Sequence, residues 1–505
     1  MATKLSRMFF LAHALLAMAS IAAGAQATID PPVNQATSYK GEEYLLIGSA
    51  VRGAGEPVIA IDPTNPNNLI VGAMANSNYV EGEPLGTGQQ RVSIEARVKY
   101  RNTPGASIST YAISHDRGRT WQLFDDPFRD YFKMNGTADA YVGVGKDGKL
   151  FIGAMNFFPQ NASPLQLELE KEPTPGLLYG AIDIASSTDG GKTWTEPSHI
   201  MGQATPLQEY GPGVKPNFLG KTPYDRPFLS TDLSTGAIYI QGNGSGGDPI
   251  HRETFFRGSN DDGKTWGLVY SYDSPDYPQQ GGASKPMAGS GVLALAYSAG
   301  SAPASALKAS AKCPCLVFEV SRDGGKTFER TIAKSDLPQP RGFGGMGGLG
   351  GAADPSHPGR YALMLLTEGS TEMDIYATSD YGKTWKGPIK AGSVPGATMS
   401  KPDIEFAPSG DLGVMWLAVN PDGTYSVWSN ASRDGGFSWG NQVHVSEAPS
   451  PVRASIKDRG NNWDGDDLST IAVDKDYVHI AWADGRAGFL GAWYARVPLS
   501  SYFGR

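Results

Sequence analysis

The chain has 505 residues and a formal net charge of −8, so it lacks the basic excess that is typical of nucleic-acid binding. Its 64 glycines and 36 prolines are typical of a β-protein with many turns rather than of a helical protein. The only cysteines, Cys313 and Cys315, are too few for a disulfide framework or a zinc cluster of known spacing. A local bridge between them would be near the limit of disulfide geometry. We therefore expect neither a metal nor a cofactor.

The N-terminus is typical of an export signal. Two basic residues precede an apolar run from Phe9 to Ala23, which is too short for a good membrane span. Ala25-Gln26-Ala27 matches a signal-peptide cleavage site. We expect residues 1–27 to be removed and residues 28–505 to form one domain, which is secreted or periplasmic. No later segment is long and apolar enough to cross a bilayer.

Seven pairs of apolar runs, each pair joined by a turn, follow one another along the rest of the chain. In the first pair, the run from Glu56 to Asp62 leads through a Pro/Asn turn to the run from Leu69 to Ala73. Runs of this length bounded by turn residues indicate antiparallel strand pairs. The seven first runs begin at Glu56, Asp139, Arg226, Lys285, Gly348, Lys401 and Leu468.

An octapeptide of the form S-x-D-x-G-x-T-W recurs six times, with small departures, between these pairs. Its Ser and Asp side chains can bond nearby backbone groups, its Gly permits a positive φ, and its Trp is a large anchor for the next strand. We interpret the octapeptide as a folding turn between a third and a fourth strand, not as a catalytic motif. The copies span residues 114–121, 187–194, 259–266, 321–328, 378–385 and 432–439.

These octapeptides resemble the Asp boxes of the sialidase-like superfamily, and the resemblance covers nearly all of residues 28–505. It implies an all-β fold, a β-propeller of four-stranded antiparallel blades. The seven strand pairs favour seven blades, and six, the commoner number in sialidases, is the alternative. The last unit has no box, and the run from Glu43 to Ile47 can supply its fourth strand. Such a pairing of the chain ends would remove the exposed edges of the ring.

The lengths of the connections predict which face binds. Long segments (roughly 74–105, 156–175, 196–224, 270–284 and 442–465) lie on one face, and the short turns lie on the other. The long-segment face also carries the starts of the innermost strands. Charged residues there predict a mixed-charge axial pocket in which Arg can hold a carboxylate and paired carboxylates can do acid/base work. The expected substrate-binding residues are Arg226, Arg52, Lys285, Lys401, Asp139, Asp467 and Arg486.

The resemblance implies a glycoside hydrolase. Family sialidases hold the substrate carboxylate with three arginines and use a Tyr–Glu nucleophile pair with an Asp acid/base. Here Glu56-Pro57-Val58 stands where the family has its first arginine, and Asp225-Arg226-Pro227 is similar only in its letters. We take Asp225, Glu56 and Tyr224 as the catalytic candidates.

The predicted function is therefore an exported, monomeric, sialidase-like glycosidase acting on an acidic glycan. Two alternatives remain open. One is a polysaccharide lyase on the same scaffold, with Tyr224 or His251 beside Arg226 supplying the base. The other is a non-catalytic propeller that binds a glycan or a protein.

Overall fold

Seven antiparallel sheets follow one another along the chain and form the blades of a β-propeller. This arrangement confirms the all-β fold and the count of seven blades, and it excludes the six-bladed alternative. The structure is a computed structural model that describes residues 28–29, 42–48, 52–77, 107–132, 136–158, 179–216, 223–244, 253–272, 274–308, 310–337, 348–367, 369–451, 468–487 and 490–504. None of the helices in these ranges is long and apolar enough to cross a membrane.

The strands of each blade run in sequence from the axis outwards. Strands β1 (Thr28–Ile29) and β2 (Glu42–Ile47) precede the first inner strand. Blade 1 contains β3 (Arg52–Ile61), β4 (Leu69–Ser77), β5 (Ser107–Ser114) and β6 (Trp121–Asp125), with β1 on its outer edge, and is followed by helix α1 (Phe128–Phe132). Blade 2 contains β7 (Gly136–Val144), β8 (Leu150–Phe158), β9 (Tyr179–Ser187) and β10 (Ser198–Gly202). Blade 3 contains β11 (Pro223–Thr231), β12 (Ile238–Gly244), β13 (Thr254–Ser259) and β14 (Val269–Ser271).

The later blades follow the same plan. Blade 4 contains β15 (Gln279–Ala283), β16 (Met287–Gly289), β17 (Val292–Ala299), β18 (Cys315–Ser321) and β19 (Glu329–Lys334). Blade 5 contains β20 (Leu349–Ala353), β21 (Tyr361–Leu365), β22 (Glu372–Thr378) and β23 (Lys386–Ser393). Blade 6 contains β24 (Thr398–Phe406), β25 (Leu412–Val419), β26 (Thr424–Ser432), β27 (Val443–His444) and β28 (Ser450–Pro451). Blade 7 contains β29 (Thr470–Val473), β30 (Tyr477–Asp484) and β31 (Gly491–Pro498). Short 3-10 helices span Leu207–Glu209, Ala304–Ala306 and Leu499–Tyr502.

The ring is closed by β2, which pairs antiparallel with β31 and completes blade 7. This confirms the prediction that the run from Glu43 to Ile47 supplies the missing fourth strand. Arg496 binds the Glu42 carboxylate through both Nε (2.9 Å) and Nη2 (2.5 Å). The Tyr44 hydroxyl donates to the carbonyl of Gly118 in blade 1. The closing strand is therefore fixed to the blades on both sides of it.

Neighbouring blades are also joined close to the axis by side chains that bond the next inner strand. In blade 7, Thr470 Oγ1 accepts a hydrogen bond from the Ile59 N–H (2.9 Å) and donates to the Pro57 carbonyl (3.0 Å) of blade 1. In blade 6, Asp403 Oδ2 accepts the N–H of Ile471 in blade 7 at 3.0 Å. These bonds satisfy inner-strand backbone groups that have no ladder partner on the axial side.

The six octapeptides form the turns between the third and fourth strands, which supports their interpretation as folding elements. In the first copy, Asp116 accepts the N–H groups of Arg119 and Thr120 (2.9 and 2.8 Å) and the Thr120 hydroxyl (2.7 Å). In the third copy, the equivalent bonds from the Thr265 hydroxyl and backbone hold the pKa of Asp261 at about 2. The aspartates are thus committed to the turns as anions.

The fifth residue of every octapeptide is a glycine with a positive φ. A Cβ on Gly118 would lie 2.1 Å from Tyr494 Oη, and one on Gly191 would lie 2.2 Å from Ile113 Cδ1. In both cases the contacted atom belongs to the preceding blade. The glycine is therefore required because the turn packs directly against its neighbour.

Cys313 and Cys315 form a disulfide with their Cα atoms 4.4 Å apart. The local bridge that the sequence left open is thus present at the start of β18.

Candidate functional site

Four inner strands carry a β-bulge at the same level, on the face opposite the octapeptide turns. In blade 1, Glu56 and Pro57 together oppose one residue of β4, because Gly55 pairs with Met74 and Val58 pairs with Gly72. The same two-against-one count recurs in blades 2, 3 and 6. The first bulge residues are Glu56, Asp139, Arg226 and Lys401, and we call this end of the propeller the mouth.

All four of these residues have a left-handed backbone, with φ values of 50° at Glu56, 42° at Asp139, 51° at Arg226 and 44° at Lys401. Non-glycine residues avoid this region because Cβ approaches the following carbonyl oxygen, at a cost of about 1–2 kcal/mol each. Their side chains are partly buried. The mouth is therefore a ring of strained backbone that carries two acidic and two basic side chains.

Proline accounts for part of this local structure. Pro57, Pro227 and Pro402 follow the bulge residue in blades 1, 3 and 6. A proline has no N–H to donate to a ladder, so within sheets it occurs at edges and bulges. The X-Pro pairs are thus the sequence signal for three of these bulges. The bulges themselves were not predicted from the sequence.

Asp139 and Arg226 lie in contact across the junction of blades 2 and 3. The Asp139 carboxylate accepts the N–H of Arg226 at 3.1 Å. The bulge exposes this N–H, so the carboxylate helps to hold Arg226 in its left-handed conformation. The structure thereby brings two of the predicted substrate-binding residues together.

The other catalytic candidates sit on the same strands. Asp225 is partly buried and pairs with Asn243 of β12, one position before the blade 3 bulge. Tyr224 precedes it in β11, and Arg52 begins β3, so the backbones of both lie at the mouth. Asp467 and His251 lie outside the described residues.

Lys285 of blade 4 reaches past blade 5 to blade 6. Its ammonium group lies 3.2 Å from Asp403 Oδ1 and 2.7 Å from Glu405 Oε2, both on β24. The inner strand of blade 5 is glycine-rich at Gly350 and Gly351, and it leaves this path open. The predicted substrate-binding residue Lys285 is therefore held by two carboxylates that the sequence did not suggest, since they are remote from it along the chain.

Burial and charge oppose each other at this group. Burial lowers the pKa of Lys285, but Asp403 and Glu405 outweigh burial, so the pKa lies above its ordinary value. Lys285 is consequently a permanent cation. A substrate carboxylate would have to compete with two resident carboxylates for it.

Arg486 is also engaged. Its Nη2 lies 2.5 Å from Glu43 Oε1 and 2.6 Å from Asp484 Oδ2, and its guanidinium stacks over Trp493 at 4.4 Å from the ring centroid. Glu43 belongs to β2, the outermost strand of blade 7. The observed contacts of Arg486 thus tie the closing strand to the β30–β31 connection.

A pair formed by a buried aspartate and a partly exposed histidine was missed from the sequence. His199 Nδ1 lies 2.5 Å from Asp183 Oδ1, and Asn156 donates to the other oxygen of the same carboxylate. Asp183 is fully buried, and burial raises its pKa. Phe132 of α1 stacks on the imidazole with ring centroids 3.9 Å apart. The pair spans the outer strands β9 and β10, so it fastens α1 to blade 2 away from the axis.

The chain was compared with known proteins. No protein-family model matches the sequence, and no curated protein matches it. A protein of unknown function from Dyadobacter fermentans is 16% identical, with a TM-score of 0.43, over 78% of this chain and 98% of that one. The Hadza microbial sialidase Hz136 is 14% identical, with a TM-score of 0.45, over 94% and 99% of the two chains. A point mutant of the NanB sialidase from Streptococcus pneumoniae is 12% identical, with a TM-score of 0.45, over 76% and 68%. Similarity at this level assigns no activity to this chain.

Proposed function

We propose that the protein is a sialidase-like glycoside hydrolase that binds an acidic glycan at the mouth. The observation that supports this proposal is the set of four charged residues, Glu56, Asp139, Arg226 and Lys401, held in left-handed bulges at equivalent positions. Glycine would adopt the same backbone at no steric cost. Charged side chains are retained where they reduce stability, which favours a role in binding or chemistry.

The charges suit a carboxylated sugar. Arg226 and Lys401 supply cations for a carboxylate, with Arg226 able to bind it through two parallel hydrogen bonds. Glu56 and Asp225 supply the two carboxylates that glycosidic cleavage uses, one as acid and one as base or nucleophile. Tyr224, adjacent to Asp225, is the candidate for a phenolic nucleophile. Arg52 and Asp467 complete the proposed set.

The proposal is tested by assaying the purified protein on sialosides and on a panel of uronate-containing glycans. We expect release of a saturated sugar from at least one of them. Arg226→Ala should raise KM at least tenfold, because it removes a charge-assisted contact to the substrate. Glu56→Gln should lower kcat about a hundredfold or more, because it removes a proton-transfer group while keeping the shape of the side chain.

Lys192→Ala is the matched control. Lys192 is exposed on the opposite face, in an octapeptide turn, so its loss should leave both constants unchanged. An unsaturated product that absorbs in the ultraviolet would show that the protein cleaves the glycan by elimination and is a lyase. Retention of a glycan without any turnover would make it a binding propeller.

Export is part of the proposal and rests on the signal-like N-terminus. Expression from the full sequence should place the protein in the periplasm or the medium. N-terminal sequencing of that material should begin at Thr28. A cytoplasmic, unprocessed product would contradict export without affecting the assignment of the mouth.

A further inference from the structure

A cavity of about 190 Å³ lies on the propeller axis and is lined by the inner strands of all seven blades. Most of its wall is apolar, with side chains such as Ile59, Val142 and Leu229. Among the lining residues in the described part of the chain, Lys285, Asp403 and Glu405 are the charged ones. We call this space the axial cavity.

These three charges do not balance. One ammonium group faces two carboxylates, which leaves one negative charge in excess. Asp403 is also fixed by the N–H of Ile471 at 3.0 Å, and its side chain is only 9% exposed. The Glu405 side chain is 38% exposed although it lies inside the ring, so the accessible surface belongs to the axial cavity. The excess charge is therefore accessible from the cavity at Glu405.

An excess charge inside a protein is costly unless a counter-charge or a proton compensates it. Burial raises the pKa of Glu405, while Lys285 lowers it and Asp403 raises it further. Protonation of Glu405 thus removes the excess negative charge at low pH. At higher pH a small mobile cation can supply the same counter-charge.

We propose that the axial cavity binds one monovalent cation, an alkali ion or a small protonated amine, against the Glu405 carboxylate. A single positive charge completes the balance with Lys285 and Asp403, whereas a dication would leave an excess of the opposite sign. Carboxylate oxygen is a ligand that suits hard cations and ammonium donors alike. A cavity of this size holds the cation together with several water molecules. The site is separate from the proposed glycan chemistry and does not depend on it.

The test measures thermal stability and binding heat at pH 8 in potassium, ammonium or methylammonium chloride. The reference salt is N-methylglucamine chloride, which keeps the ionic strength constant. Its hydrated cation is too bulky for the axial cavity. We expect at least one small cation to raise Tm by about 1–2 °C at ten times its Kd. The effect should shrink at pH 5, where the proton competes. Potassium acting alone identifies an alkali site, and ammonium and methylammonium acting alone identify an amine site.

Two variants and one control decide the location. Glu405→Gln removes the excess charge and should abolish the cation effect. Lys285→Met doubles the excess negative charge and should increase the cation effect on Tm. This second variant keeps the test valid if Glu405→Gln folds poorly. Glu372→Gln is the control, because Glu372 makes an exposed pair with Lys390 (2.6 Å) on the outside of blade 5. An equal response to all four salts, or an unchanged response in Glu405→Gln, would overturn the proposal.

Discussion

Both ends of the blades contain left-handed backbone, but the two ends use different residues for it. At the octapeptide turns the fifth position is always glycine, as at Gly118 and Gly325. At the mouth the equivalent backbone is carried by Glu56, Asp139, Arg226 and Lys401. The fourth position of the turns is also left-handed at Arg117, Asp262 and Tyr381, so the contrast is between the fifth position of the turns and the first bulge residue of the inner strands.

Glycine at the turns favours stability, whereas the charged residues at the mouth reduce it. In four of the turns a Cβ would collide with the preceding blade, so packing selects glycine at Gly118, Gly191, Gly325 and Gly382. At the mouth, no described contact excludes glycine, yet charged side chains occupy the position at a cost of about 1–2 kcal/mol each. Left-handed strain at charged residues is typical of functional sites.

The largest effect is expected at a turn. In Gly118→Ala, the new Cβ would lie 2.1 Å from Tyr494 Oη and would also occupy a φ of +80°. We expect the free energy of unfolding to fall by about 2–4 kcal/mol from overpacking and backbone strain combined. Urea denaturation measures the change.

The matched variant is Gly324→Ala in the fourth octapeptide turn. Its φ is similar, at +75°, but nothing lies within 4 Å of the new Cβ. Its cost should be about 1 kcal/mol, from the backbone alone. Equal losses in the two variants would refute the argument that packing against the preceding blade selects glycine.

The mouth should respond in the opposite way. Glu56→Gly and Lys401→Gly relieve left-handed strain, so stability should stay within about 1 kcal/mol of the wild type or rise. Activity on the glycan, or its retention, should fall at least tenfold because the charged groups are lost. A fall in stability with unchanged activity would show that these side chains serve folding, and the contrast between the two ends would disappear.

A pH-dependent effect is expected at the ring closure, which belongs to neither end. Glu43 is buried, and burial raises its pKa to about 7, against the opposing influence of Arg486. The folded protein therefore binds this proton more tightly than the unfolded chain does. The stability that the proton contributes is complete below about pH 4.5 and is lost as the pH rises through 7.

Glu43→Gln isolates this contribution. Between pH 5 and pH 8 the wild type should lose about 1–3 kcal/mol more than the variant does. Chemical denaturation across that range measures the difference. Parallel curves for the two proteins would mean that Glu43 keeps an ordinary pKa. The mouth and the turns should contribute equally to both curves.

The repeats made most of the fold predictable. Each blade has its own strand pair, and hydrophobic runs with turn signals report such local units directly. The closing strand was predictable for a related reason, because the last unit lacked a fourth strand and one unassigned run remained. The inner strands were located, but their starts were not: those of blades 1, 2, 3 and 6 begin three or four residues earlier than expected, because the strand continues through the bulge, and Lys285 lies between β15 and β16.

The chemistry of the site was less accessible. Among charged residues, propensity rules favour only Asp in the left-handed region, so Arg226 and Lys401 were identified by their charge and not by their conformation. The partners of Lys285 lie on another blade, about 120 positions away along the chain. Arg486 was expected at the pocket from its charge, whereas its contacts depend on Glu43 at the far end of the chain. Interactions across the ring leave no local pattern in the sequence.

The pairing of β2 with β31 has a consequence for biosynthesis. β2 leaves the ribosome before the first inner strand, and β31 leaves it only after the other strands of all seven blades, so the ring stays open until β31 has been made. Throughout that interval β2 presents unpaired backbone groups, which are a template for pairing with other chains. A chain that is interrupted before Gly491 keeps this edge permanently. In an incomplete molecule β2 is therefore an unpaired strand that proteases and chaperones can recognise. In a complete molecule β2 is paired with β31.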